Sequence, residues 1–317
     1  MSVFTHPALF YRGRDEFLSG TVPFVLDGLA AGEPVGVALP GEHLSWLSGE
    51  LDEDARQQVH LVDMTEAGRN PGHIIPGVLR EFADRHEGRV RLIGEPIWPG
   101  RTTVEYEACA QHEALINFAF TGRPVTVLCP YDTEGLEPWV LDEAACTHPE
   151  LSDHYGSWSS RSFAPEQVVD RYNQPFPAPA EIPWVLSFDR TGLAGVRRFA
   201  GDRAAAYGLG KERVLDLTMV VGELCANSLR YGQGSGVLRT WREDGAVVCE
   251  VRDAGHITDP LAGRRPASPT QLGGRGLLMV NYLADLVRVH TAPEGTQTRV
   301  YFDLKPGARP ARASRGS

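Results

Sequence analysis

The chain has 317 residues, 42% hydrophobic and 23% charged, with a formal net charge of −10 at pH 7. That length predicts two globular cores, and the acidic balance argues against a general nucleic-acid-binding role, which needs a basic footprint. No apolar run approaches the roughly 20 residues needed to cross a bilayer. The start, MSVFTHPALFYRG, has no basic end followed by a long apolar core, so a cytoplasmic location with no membrane partner is expected. Five cysteines without a CxxC pair, three of them in apolar runs, are read as buried thiols in a reducing compartment.

Taken in chain order, residues 1–150 alternate helical stretches with short β-branched runs. Helical patterns cover 14–31, 74–85 and 104–119. Strands are read at 34–40 (PVGVALP), 58–64 (QVHLVDM), 89–95 (RVRLIGE) and 123–131 (RPVTVLCPY). The runs are apolar almost throughout, which suits strands buried on both faces of a parallel sheet flanked by helices. Ligands of such sheets bind beyond the carboxyl ends of the strands, so GEPIWPG, PYDTEG and PGEH are candidate rim loops. Glu95, Glu105, Glu107, His112 and Trp98 either line a rim pocket there or are ordinary surface and helix-start residues. HEALI, with Ile116 where a zinc protease needs its second histidine, is not HExxH. No GxxxxGK[ST] occurs anywhere in the chain, so this domain is expected to hydrolyse no nucleotide of its own.

Residues 151–182 are rich in proline and serine and are read as a linker with a short helix near 165–172. Its aromatic residues predict that it packs against a domain rather than floating free. Residues 183–305 form the second module: strand 184–188, helix 193–207, a helix carrying ELCANSLRYG, strands 236–242 and 246–253, helix 276–284, and strands 286–290 and 298–304. A sheet with helices on one side is expected. The tail, 306–317, is Pro-, Gly- and Arg-rich and predicts disorder.

Three short segments of the second module carry chemistry. Glu223 and Asn227 lie one helical turn apart, so one helix face presents both. DAG at 253–255 and LGGRGLLMV at 272–280 follow. A carboxamide oxygen can complete the shell of a hard cation, a carboxylate can accept a proton, an aspartate can read an amino group, and glycine amides can cradle phosphate. Each segment alone is an ordinary solvated face, turn or loop; in this order they describe a nucleotide pocket.

The order ELCANSLRYG, VRDAGHITDP, GGRGLLMVNYLADLVRV and GTQTRVYF resembles the GHKL (HATPase) family, in particular the anti-sigma serine kinases of the RsbW/SpoIIAB type. The likeness spans about residues 183–305 and implies a two-layer α/β sandwich of the Bergerat fold, with ATP and Mg2+ as cofactors. It implies that Asn227 holds the magnesium, that Glu223 is the base, and that Asp253 accepts a hydrogen bond from the adenine amino group. Gly255 would let the backbone approach the base. Gly274 and Gly276 would form the phosphate-side loop, with Gly273, Arg275 and Leu277 beside them at a helix N-terminus, and Thr298 would lie on the strand beneath the adenine. Ile257 stands where the family often has a second glycine, and Tyr231 replaces a common histidine.

HPALFYRGRDEFLSGTVPFVLDGLAAGEPV, GRNPGHIIPGVLREF and RLIGEPIWPGRTTVEYEACAQHEALIN resemble the MEDS sensory domain, implying a three-layer RecA-like core without its phosphate loop and a sensory role. The two resemblances imply a partner-switching regulator. It would phosphorylate Ser or Thr on a STAS-domain anti-anti-sigma protein under the influence of a small molecule or protein sensed by the first domain, and the relatives suggest a homodimer. Two other readings stay open: an ATP-binding module that sequesters a sigma factor or antagonist without catalysis, and a small-molecule sensor whose ATP site is structural.

Overall fold

The computed structural model describes residues 4–266 and 274–305, in two compact units that divide between Tyr172 and Asn173. The first unit runs β1 (Pro7–Tyr11), α1 (Gly13–Ala30), β2 (Val35–Leu39), α2 (Gly41–Glu50), α3 (Glu53–Gln58), β3 (Val59–Asp63) and α4 (Met64–Ala67). It continues with α5 (Pro71–Ile74), a π turn (Ile75–Leu79), α6 (Arg80–Ala83), β4 (Val90–Gly94), α7 (Thr103–Ala119), β5 (Val125–Asp132), α8 (Pro138–Thr147), β6 (Glu150–Asp153), β7 (Gly156–Ser159) and α9 (Pro165–Arg171). The π turn contains Pro76, whose missing N–H interrupts the helical ladder.

The strands form one seven-stranded sheet in the order β3-β2-β4-β5-β1-β6-β7. It is parallel from β3 to β6, and only the β6–β7 hairpin is antiparallel. The expected α/β fold with a parallel sheet is what the chain adopts. Alternating residues settle the layering. Val35, Val37 and Leu39 of β2 join Phe17, Val25 and Leu47 of α1 and α2 in one core. Gly36, on the other face, approaches Phe82 of α6 so closely that a Cβ would lie 3.0 Å from its ring. Helices therefore cover both faces.

The 151–182 segment differs from a simple linker. Its first part is strand and helix built into this unit, because Glu143 of α8 gathers three partners. Its Oε2 accepts from Tyr106 Oη at 2.5 Å and from Tyr172 Oη, and its Oε1 accepts from Arg171 Nη1 at 2.6 Å. This clasp ties the end of α9 to α7 and α8.

The rim residues of the sequence reading do not form one group. Glu105 closes a capping box with Thr102 at the start of α7. Glu95, fully buried beyond the end of β4, pairs instead with His43 Nδ1 at 2.7 Å and accepts from Tyr11 Oη at 3.1 Å. Burial opposes protonation of His43, but the hydrogen bond to Glu95 and the charge of Glu95 outweigh it and raise its pKa above 6.5. A group whose pKa is raised by folding contributes stability that is complete below the unfolded value and lost as pH rises through the folded one. His43→Gln is therefore expected to lower stability by about 1–3 kcal/mol at pH 6 and by progressively less towards pH 9. Urea unfolding at the two pH values checks this; an equal loss at both would contradict it.

The second unit runs β8 (Trp184–Asp189), α10 (Leu193–Ala206), α11 (Lys211–Tyr231), β9 (Ser235–Glu243), β10 (Ala246–Asp253), α12 (Gly276–Leu283), β11 (Leu286–Ala292) and β12 (Gly295–Asp303). Its sheet, β11-β12-β10-β9-β8, is antiparallel throughout. Leu217, Val220, Val221, Leu224 and Cys225 of α11 pack with Val247, Cys249 and Val251 of β10 and Val300 and Phe302 of β12. The alternate residues of those strands point to the opposite face. There residues 173–177 lie along the sheet. Asn173 exchanges hydrogen bonds with the Thr291 backbone at 2.9 Å, and the Arg299 guanidinium sits 4.8 Å from the Phe176 ring centroid. The 306–317 tail, with its expected disorder, lies outside the described residues.

Candidate functional site

A cavity of about 850 Å3 opens in the second unit between α11, α12, the sheet and the loop after β10. Glu223, Asn227, Asp253, Gly255, Gly274, Arg275, Gly276, Leu277 and Thr298 all line it. Of the residues that the sequence assigned to a nucleotide site, Gly273 alone is not among the lining, because it lies outside the described residues. The volume is within the range of small-molecule sites, about 300–1,000 Å3.

One end is built around Asp253, the last residue of β10. Its Oδ2 accepts from Ser228 Oγ at 2.6 Å and its Oδ1 from the Gly255 N–H at 2.8 Å. Each oxygen keeps a lone pair, so the carboxylate is held in one orientation yet can still accept from a ligand N–H. Two glycines let the backbone close in. A Cβ on Gly232 would fall 2.5 Å from Asp253 Cγ, and one on Gly255 would fall 2.8 Å from the Tyr231 carbonyl oxygen. Thr296 and Thr298 sit on the helix-facing side of β12, in line with Val300 and Phe302. Thr296 Oγ1 donates to the Gly255 carbonyl at 2.8 Å and so pins the loop to the sheet. At Ile257, where a glycine was expected by family pattern, the N–H donates to Thr291 Oγ1 at 2.8 Å. The turn is thus held by a side chain rather than by glycine geometry.

The other end is polar and carries both charges. Glu223 and Asn227 stand half-buried beside the apolar stripe of α11. Gly276 opens α12 directly opposite them: a Cβ there would lie 2.8 Å from Glu223 Oε2 and 3.7 Å from Asn227 Nδ2. Gly274 has φ +77°, a backbone state that a side chain would strain. Arg230, Arg265 and Arg275 add cationic groups to the lining, with Arg265 reaching Asp259. The loop's stem is tied to α12, since Asn281 Nδ2 donates to the Gly263 carbonyl at 3.0 Å. The carboxylate and amide oxygens of Glu223 and Asn227 suit a small hard cation better than a soft one.

Sequence reasoning missed Ser228, Thr296 and Gly232. Thr296 was the most accessible of these, because a residue two before Thr298 on a strand shares its face.

Two family models account for most of the chain. Residues 5–149 match MEDS, the methanogen/methylotroph, DcmR sensory domain, and residues 186–302 match the histidine kinase-like ATPase domain. Residues 5–149 are a MEDS domain and residues 186–302 a histidine kinase-like ATPase domain. The cavity just described belongs wholly to the ATPase domain, and strands β1 to β5 of the parallel sheet to the MEDS domain. Two solved structures are similar to parts of the chain. The RsbU and RsbW domains of Rv1364c from Mycobacterium tuberculosis are 21% identical with a TM-score of 0.31, the match covering 42% of this chain and 34% of that one. The Acinetobacter baumannii histidine kinase AdeS is 13% identical with a TM-score of 0.24, covering 39% of this chain and 70% of that one. No curated protein matches. Among the described residues no helix is long and apolar enough to cross a membrane.

Proposed function

We propose that the ATPase domain binds Mg-ATP and transfers its γ-phosphoryl group to a serine or threonine of a STAS-domain anti-anti-sigma protein, with the MEDS domain biasing that reaction in response to a signal. The observation that carries this reading is the convergence of Asp253, Asn227, Glu223 and Gly276 on one cavity. Adenine lies at the Asp253 end, its amino group donating to the carboxylate that Ser228 and Gly255 hold in place. The triphosphate runs towards α12, where the N-terminal amides and Arg275 favour an anion.

Asn227 would hold the magnesium at the phosphate end, and the bound ion would supply charge neutralisation there. Glu223 orients the incoming hydroxyl and takes its proton. The substrate oxygen forms its bond to the γ-phosphorus while the bond from that phosphorus to the bridging oxygen breaks, leaving ADP. Positioning and charge compensation dominate such a transfer, so the preformed arrangement of the two side chains on one helix face is what the chemistry requires.

Calorimetry with the full chain tests the binding step. Mg-ATP is expected to bind at one site per chain, and Asp253→Asn to weaken it about 100-fold or more, since one acceptor for the amino group becomes a donor. A folded wild-type chain that takes up no Mg-ATP sinks the reading. Binding without transfer of labelled phosphate to the STAS protein favours a sequestering module over a kinase.

A further inference from the structure

The MEDS domain contains a second chemical cluster that plays no part in the nucleotide site. His6 precedes β1, Glu113 lies on α7, Cys129 on β5 and His148 just past α8. All four are buried, with no more than 1% of any side chain exposed. Their donor atoms lie within 4.8 Å of one another. His148 Nε2 is 3.1 Å and His6 Nε2 3.5 Å from Glu113 Oε2, and Cys129 Sγ is 3.4 Å from His6 Nε2. The three close separations, 3.1, 3.4 and 3.5 Å, lie near the edge length of a tetrahedron around an ion with bonds of about 2.0–2.3 Å, which is roughly 3.3–3.7 Å.

The surrounding hydrogen bonds decide which ring nitrogens face the centre. His148 Nδ1 lies 2.9 Å from the Ala144 carbonyl oxygen, which can only accept, so Nδ1 carries the proton. Asn117 Nδ2 donates to the Thr147 carbonyl at 2.8 Å, which leaves Asn117 Oδ1, 3.3 Å from His6 Nδ1, as the acceptor of that ring's proton. Both neutral imidazoles therefore turn an unprotonated Nε2 inwards, each towards the same carboxylate. Neither Glu113 oxygen nor His148 Nε2 has an aligned hydrogen-bond partner. A buried carboxylate facing two lone pairs is unfavourable by several kcal/mol.

We propose that His6, Glu113, Cys129 and His148 are the four ligands of one zinc ion. The donor set of two imidazoles, a thiolate and a carboxylate suits that borderline-soft cation and its tetrahedral preference. Loss of the Cys129 proton on binding makes the buried site electrically neutral, two positive charges meeting two negative. Asn117, Thr147 and the Ala144 carbonyl are positioning groups that fix the tautomers, as the outer shell of a zinc site does. With four protein ligands, all of them buried, the ion is structural, and it fastens α7 and the end of α8 to β5 and the residue before β1.

Cobalt titration of the chelator-treated full chain, without nucleotide, tests this. One equivalent of Co2+ is expected to give the strong visible bands of a four-coordinate ion and a near-ultraviolet thiolate-to-cobalt band, both abolished by one equivalent of Zn2+. Cys129→Ser should remove the thiolate band, and Asn117→Ala should weaken affinity about 10–100-fold. A wild-type chain that takes up neither ion overturns the proposal, as does a cobalt spectrum unchanged by Cys129→Ser. Should the variants fail to fold, the wild-type spectrum decides by itself, since tetrahedral bands without a thiolate band refute the ligand set.

Discussion

Replacing Glu223 by glutamine is expected to lower phosphoryl transfer by about 10²–10⁴-fold, the usual worth of a positioned general base, while leaving Mg-ATP affinity within a few-fold. The reason lies in the geometry of α11. Glu223 and Asn227 share one face at the proposed phosphate end, whereas in that reading adenine recognition would rest on Asp253 at the far end, fixed by Ser228 and Gly255. Glutamine keeps the shape against Gly276, whose Cα direction points straight at the Glu223 carboxylate, and it removes only proton acceptance. Asn227→Ala should act differently, weakening binding and transfer together because it removes the proposed oxygen ligand of the cation. Single-turnover transfer from labelled ATP, measured beside calorimetry on the same proteins, separates the two effects. Equal transfer by wild type and Glu223→Gln would remove Glu223 from the role of base.

Glu250→Ala is expected to destabilise the ATPase domain by about 3–5 kcal/mol, the penalty for stranding a buried cation. Glu250 is fully buried on the sheet face away from the nucleotide. Its Oε1 accepts from Arg239 at 3.0 Å and Arg252 at 2.5 Å, and its Oε2 from Arg299 Nε at 2.5 Å. Arg299, itself only 3% exposed, also donates to the Pro177 carbonyl and lies 5.0 Å from the Trp241 ring centroid. Without the carboxylate, Arg299 keeps its positive charge and loses its counter-ion. The same cluster makes a prediction in acid. Burial works against ionisation of Glu250, but hydrogen bonds from Arg252 and Arg299 outweigh it and depress the pKa below its ordinary 4.5. A depressed carboxylate contributes stability present above the unfolded value and lost as pH falls through the folded one. Protection of β10 and β12 amides, taken relative to their intrinsic exchange rates, should therefore fall below about pH 4.5 in the wild type, and already be reduced at pH 7 in Glu250→Ala. Unchanged protection in the variant would show that the cluster contributes nothing to the fold.

The ATPase domain was legible because its cues are local. The apolar stripe of α11, the alternation of β10 and β12, and the motifs around Glu223, Asp253 and Gly276 are each readable within a dozen residues. The MEDS domain was legible only in part. No strand was read ahead of the helical pattern at 14–31, although β1 lies inside the sheet between β5 and β6. The 151–172 stretch reads as linker by composition, since it is rich in serine and short of aliphatic runs, and becomes structure through the Glu143 clasp. Glu95 was noticed as a rim residue, but its partners Tyr11 and His43 lie 84 and 52 positions away and no spacing rule links them.

By itself the order of residues determined the class of each domain, the faces of its helices and strands, and the segments that meet at the nucleotide cavity, because periodicity and turn chemistry act over a few neighbouring positions. Only the tertiary structure decided that Ser228 holds Asp253, that three arginines share Glu250, and that His6, Glu113, Cys129 and His148 face one another. Those pairings depend on how elements distant in the chain are packed. Burial, absent from the unfolded sequence, turns them from ordinary polar residues into groups that must find a partner.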